Sequence, residues 1–331
     1  MKYFKKNLLG MIALYIVGGL TFSCKVSREE NLPAYKIKKA LSSSDDELPE
    51  TLGETFLFKD GDPSKPAFGV IPYDVKVALW TDSAAKKRYI FVPPEEKISF
   101  DAAKESFSFP IGTTLAKHFS TGSGDPIETR IITKKDDDSW AFGTYVWEDG
   151  ATKLNIYPIT VKGGDGLDYR VPSEKECKMC HNSEAIDPVI LGFSTMQLGH
   201  SNAAINQFDE LDKESLFADE IEKIKETQTI DDPNDESLTL DVRARSYLAI
   251  NCGPCHRPNG AAADKNIDLR YGISLDDTKL VAEGKVVPGK PDQSLLWQKY
   301  SATEERMPPL SLRHDPLGSA LIKEWIEKWP E

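Results

Sequence analysis

Four of the chain's five cysteines sit in two copies of one pentapeptide, Cys177-Lys-Met-Cys-His181 and Cys252-Gly-Pro-Cys-His256. Cys-x-x-Cys-His is the attachment signature of c-type haem: the two thiols add to the vinyl groups, and the adjacent histidine coordinates the iron from one side. One helical turn with cysteines at i and i+3 spans the vinyls and leaves the next residue under the metal. Two copies therefore imply two covalently bound haems, with Cys177, Cys180, Cys252 and Cys255 as thioether donors and His181 and His256 as proximal ligands. Rival chemistries explain less. The two pairs are farther apart than the roughly 15–20 residues usual between zinc-binding pairs, and zinc does not require a histidine after both. Two local disulfides, or a thioredoxin-like dithiol, leave both histidines without a role.

The flanking sequence separates the two copies. SLTLDVRARSYLAINC places Leu238, Val242, Tyr247 and Leu248 on one face of a helix that runs into the second motif. Near the carboxyl end, Leu317, Leu321, Ile322, Trp325, Ile326 and Trp329 recur at helical spacing. Between them lies a helix predicted over 293–300 and then Arg306-Met-Pro-Pro-Leu310. This order resembles a class I cytochrome c domain over Ser237–Glu331. The resemblance implies that Met307 is the distal ligand of the second haem, with His314 in reserve, and that the first and last helices cross beside it.

The first motif has no such frame. Ser173-Glu-Lys-Glu176 has the spacing of a capping box and starts the helix that carries it. For its distal ligand, Met196 and His200 in GFSTMQLGH are nearest in sequence, His118 is a longer reach, and Lys117 or an open site completes the alternatives. Methionine there would raise the potential.

Upstream, short β-branched and aromatic runs alternate with turn clusters over 56–171, which predicts an antiparallel sandwich or barrel-like β domain. WAFGTYVWEDGATKLNIYPI reads as a hairpin turning at Asp149-Gly150. The fold class expected is α+β multidomain: β-rich 56–171, a helical segment 172–236 carrying haem 1, and an all-α cytochrome c domain 237–331. Trp80, Trp140 and Trp147 are candidates for a binding face on the β domain, although alternating aromatics in strands are more often core.

The amino end, MKYFKKN followed by LLGMIALYIVGGLTF, reads as an export signal over 1–23, too short for a membrane span of about 20 residues. Ser23-Cys24 resembles a bacterial lipoprotein cleavage site, with Thr21 where leucine is usual. Lipidation of Cys24 would anchor the chain to a membrane and account for the odd cysteine; cleavage by ordinary signal peptidase is the alternative. Polar residues 24–55 read as a flexible tether. The formal charge is −12, and removing the signal with its three lysines takes it to −15. That balance excludes nucleic acid as a partner and suits docking to a basic protein.

Further strings, GVIPYDVKVALWTDSAAKKRYIFVP, FPIGTTLAKHFS, IETRIITK, VPSEKECKMCH, LGFSTMQL and VVPGKPDQSLLWQKY, together resemble a family of exported bacterial di-haem c-type cytochromes, often lipoproteins. The likeness covers residues 55–331. It implies the fold and the haem content; the two haem motifs, one with a protein-supplied sixth ligand, point to single-electron relay between a redox donor and acceptor outside the inner membrane, in the periplasm or at the outer membrane or cell surface. The other function classes are a di-haem peroxidase or oxidase-like enzyme with an open first haem, and a cytochrome localised by a β-domain binding module.

Overall fold

The computed structural model describes residues 48–136, 139–163, 166–181, 190–202 and 205–330. The signal, Cys24 and most of the expected tether lie outside the described residues. The architecture is α+β, with an antiparallel β-rich amino-terminal region and helices toward the carboxyl end.

Six strands form one antiparallel sheet in the order β1 (Val70–Tyr73), β2 (Ala85–Phe91), β5 (Thr114–Ser120), β6 (Pro126–Lys134), β7 (Trp140–Glu148) and β8 (Ala151–Asn155). A small hairpin of β3 (Ser99–Asp101) and β4 (Ser106–Ser108) interrupts the path from β2 to β5, and a ribbon of β9 (Ile159–Lys162) and β10 (Asp168–Val171) follows β8. The β7–β8 hairpin turns at Asp149 and Gly150, both at positive φ, as an Asp-Gly type I′ turn requires.

Side chains alternate across the sheet, so its two faces have separate tasks. One face carries Tyr89, Phe91, Ala116, Ile131 and Tyr145, and residues 48–58 cover it with buried Leu52, Leu57 and Phe58. Leu52 N–H donates to Thr152 Oγ1 at 2.9 Å, Leu154 N–H to the Glu50 carbonyl at 2.7 Å, and the Tyr145 hydroxyl to the Pro49 carbonyl at 2.9 Å. The end of the stretch read as tether, residues 48–55, is thus part of the fold. Its sparse apolar pattern hid this, because one buried leucine and backbone bonds do the anchoring.

The opposite face has three cross-strand rows. Ile90, Leu115, Ile132 and Phe142 form the first, and Phe193, Leu198, Phe208, Leu211 and Phe217 pack on this end of the face. Lys86, Phe119, Glu128 and Val146 form the third, under Tyr169 and Val171 of the β9–β10 ribbon. Between them runs a polar row of Arg88, Lys117, Arg130 and Thr144. Helices and a cofactor-sized cavity cover this face rather than a second sheet, so the expected sandwich or barrel is an open, twisted sheet. A polar row can be buried only against something that answers its charge.

The helical part contains α1 (Glu174–His181), α2 (Thr195–Leu198), α3 (Gln207–Lys213), α4 (Ile221–Lys225), α5 (Leu240–Asn251), α6 (Leu295–Ser301) and α7 (Pro316–Glu327). Thr239 caps α5 by accepting from Val242 N–H, and Asp315 caps α7 by accepting from Leu317 N–H with Pro316 at the first helical position. Helices α5 and α7 pack through Ala244, Tyr247, Leu248, Leu321, Ile322 and Trp325. Trp325 Nε1 donates to Asp241 Oδ1 at 2.9 Å. Gly318 permits the close approach: a Cβ there would run into the Tyr247 and Tyr300 hydroxyls.

Helix α5 is buried on more than the face expected of it. Val242 is only half-buried, whereas Ala249 and Ile250 are buried against Val77 and Ile230. Ile230 lies on the connection from α4 to α5, and Val77 on the connection from β1 to β2. Gln197 locks that connection by accepting from Val77 N–H at 2.9 Å and donating to its carbonyl at 2.8 Å. Trp80 N–H donates to Asn251 Oδ1 at 2.9 Å, and Trp80 Nε1 to the Arg313 carbonyl at 3.1 Å. The 3%-exposed Asp82 accepts from Ser311 Oγ at 2.8 Å, Leu312 N–H at 3.0 Å and Arg313 N–H at 2.8 Å.

Candidate functional site

The first motif is placed by its capping box. Ser173 N–H donates to Glu176 Oε2 at 2.9 Å, Glu176 N–H donates back to Ser173 Oγ at 3.3 Å, and Arg170 pairs with Glu176. These contacts hold the start of α1 against β10, with Cys177, Cys180 and His181 on its following turns. The His181 ring packs on Phe142 of β7, with centroids 5.8 Å apart.

The second motif follows the end of α5. Cys252 caps the helix, and Cys255 and His256 N–H donate to its carbonyl at 3.1 and 2.9 Å, so the five residues form one compact turn. Only glycine fits at 253, because a Cβ would lie 2.5 Å from the Ala249 carbonyl oxygen and 2.9 Å from that of Leu269.

Both motifs open onto one cavity of about 1120 Å³, whose lining includes Cys177, Cys180, His181, Cys252, Cys255 and His256. The Cys180 and Cys255 sulfurs are 3.8 Å apart, although 75 residues separate them in sequence. The volume exceeds the roughly 300–1,000 Å³ of a site for one small ligand.

Three of the four thiols and the His256 imidazole are held toward their neutral forms, while the contact with Cys180 lowers the Cys255 thiol. Burial pushes the Cys252 thiol up to about 12 and raises that of Cys177. The contact with Cys255, and then burial, raises Cys180. Burial lowers the His256 pKa, which favours the neutral imidazole that binds a metal, and its Nδ1 is buried without a hydrogen-bond partner. Paired cysteines, adjacent imidazoles and a shared cavity fit covalently attached haem. No group of three or more His, Cys, Asp or Glu residues that could hold a bare metal ion occurs among the described residues.

The distal candidates fall in different places. Met307 lines the cavity that His256 lines, 40% exposed, with its N–H donating to the Lys299 carbonyl at 2.9 Å. His314 is not part of that lining, and its Nε2 lies 3.2 Å from the Ala302 carbonyl. Met196 lines the cavity, packed with Val77, Ile230, Ala249 and Ile250. His200 lies outside the lining, its Nδ1 3.0 Å from the Gln197 carbonyl. His118 points through the other face of the sheet, with Nδ1 2.9 Å from Thr129 Oγ1 and its ring against Trp147. Burial lowers its pKa to about 4. Lys117, its neighbour, points into the cavity.

The three tryptophans do not form one binding face. Trp140 and Trp147 point to opposite sides of β7, as a spacing of seven residues in a strand dictates, and Trp80 belongs to the connection that holds α5. Sequence reasoning missed that connection and Asp82, since an aspartate in a loop carries no signal until the loop's partner is known.

The cavity onto which both Cys-x-x-Cys-His motifs open is the candidate site for haem. The family model described as Planctomycete cytochrome C matches residues 252–311, a span that holds Cys252, Cys255, His256 and Met307. The match supports a cytochrome c family, and a cytochrome c domain implies covalently bound c-type haem and suggests haem-based electron transfer. No curated protein and no solved structure matches the chain.

Proposed function

We propose that the protein is a di-haem c-type cytochrome that passes single electrons between a donor and an acceptor protein. The observation that carries this reading is the convergence of the two Cys-x-x-Cys-His motifs on one cavity, with Cys180 and Cys255 in contact distance. Haem supplies a one-electron iron couple, tuned by its ligands and its burial. The chain's own residues do the rest. Cys177 and Cys180 fix one group, Cys252 and Cys255 the other, and His181 and His256 give each iron a nitrogen. Met307, which lines the cavity with His256, would supply a sulfur donor on that side, as the resemblance of 237–331 to a class I cytochrome c domain implies.

The acidic surface suits basic redox partners, and the signal with Cys24 suits an exported, membrane-anchored lipoprotein in the periplasm or at the cell surface. An enzymatic role would need an acid or base beside an open iron.

The test is a pyridine haemochrome assay with a redox titration of the full chain. Two haems per chain and two reversible one-electron couples are expected, and Met307→Ala lowers one potential while leaving the other in place. A count of one haem, or no reversible couple, would sink the reading.

A further inference from the structure

The polar row on the cavity face of the sheet contains three cations on adjacent strands, Arg88, Lys117 and Arg130. Both arginines are answered. Arg88 Nη1 pairs with Asp74 at 3.0 Å, and Glu128 grips Arg130 through Nε at 3.0 Å and through a second, shorter bond to Nη2. Lys117 is not: among the described residues no carboxylate lies within ion-pair range, and its Nζ sits 5.2 Å from the centroid of the Phe119 ring. It lines the cavity together with Cys177, Cys180 and His181.

We propose that Lys117 Nζ is the second axial ligand of the iron held by His181. The inference rests on the reading that α1 carries a haem. Of the other candidates, His118 is turned to the far face of the sheet, His200 lies outside the cavity lining, and Met196 packs on the wall formed by α5. An amine ligates iron only when neutral: its proton leaves to solvent and the nitrogen lone pair forms the bond. Burial and the flanking Arg88 and Arg130 press Lys117 toward that neutral form. A lysine on the middle of a strand is also a rigidly placed donor, because pairing on both sides fixes its backbone.

Full-length protein with its haems, grown with lysine carrying ¹⁵N at Nζ in an otherwise ¹⁴N background, is the direct test. Pulsed magnetic resonance of the ferric protein should detect a ¹⁵N hyperfine coupling at one of the two haems. Absence of any lysine coupling in the wild type overturns the proposal without needing a variant. Lys117→Leu should keep two haems by pyridine haemochrome, lose the coupling and gain one equivalent of bound carbon monoxide when reduced, with methylamine restoring the low-spin spectrum. Met196→Leu should change none of these readouts. If Met196→Leu opens the site and Lys117→Leu does not, the ligand is Met196 and the proposal fails. A wild-type count of one haem refutes the di-haem reading instead, and is read separately.

Discussion

Replacing Asp82 tests whether the β region holds the methionine loop of the cytochrome segment. Its buried carboxylate accepts from Ser311 Oγ, Leu312 N–H and Arg313 N–H at 2.8–3.0 Å, a few residues beyond Met307. Hydrogen bonds to a charged group contribute about 1.5–3 kcal/mol each. Leu312 is 42% exposed, so water can satisfy its N–H after Asp82→Ala, and Ser311 Oγ keeps the Arg313 carbonyl at 2.9 Å, whereas the Arg313 N–H loses a charged acceptor. The net penalty is then about 2–4 kcal/mol, a large share of the roughly 5–15 kcal/mol typical of a folded domain. Asp82 also has φ 52, where a short polar side chain is better tolerated than alanine. Asp82→Asn keeps that tolerance and one acceptor oxygen, and should lose less. In urea, with a slope of about 1–3 kcal/mol/M, the midpoint of Asp82→Ala falls by about 1 M or more. The long-wavelength absorption that a sulfur ligand gives ferric haem should weaken in parallel. A midpoint within about 0.3 M of wild type, with that absorption intact, would refute the idea that Asp82 holds the loop.

Two further outcomes follow from packing and charge. Gly318→Ala puts a methyl against the Tyr247 and Tyr300 hydroxyls, so the α5–α7 crossing must open; a loss of about 1–3 kcal/mol in urea unfolding is expected, with haem content unchanged. Lys86 is held down to about 8, first by burial and then by Arg88 and Arg130, although its Nζ donates to the Ala84 carbonyl at 2.9 Å. The unfolded chain keeps that proton up to about pH 10.4, so it binds more protons than the native state between about pH 8 and 10.4, and wild-type stability rises across that window. Lys86→Met should therefore gain about 1–2 kcal/mol at neutral pH, allowing for partial exposure, and the gain should vanish above that window in urea midpoints taken against pH.

What could be read from the sequence was whatever repeats at short range. The two motifs, the Ser173–Glu176 cap and the Asp149-Gly150 turn depend on neighbours a few residues apart, and the structure has each of those local shapes. Period-two alternation located the strands but could not say what covers each face. An open sheet under helices and a sheet in a sandwich write the same pattern along β5 to β7. Residues 48–58 and the β1–β2 connection act through single side chains and backbone bonds across about a hundred residues or more, for which a linear pattern has no period. Lys117 and His118 are adjacent letters, and only the strand's register decides which one meets the cavity.

The clasp of residues 75–83 on α5 bears on how such a chain can be divided. A fragment beginning at Ser237 would contain every helix of the cytochrome-like segment, yet it would carry Ala249 and Ile250 into water and leave Asn251 and the 311–313 loop without their partners. The unit that can be cloned, transplanted or inherited whole is therefore longer than the stretch that resembles a familiar module. A boundary visible in the letters need not be a seam in the molecule.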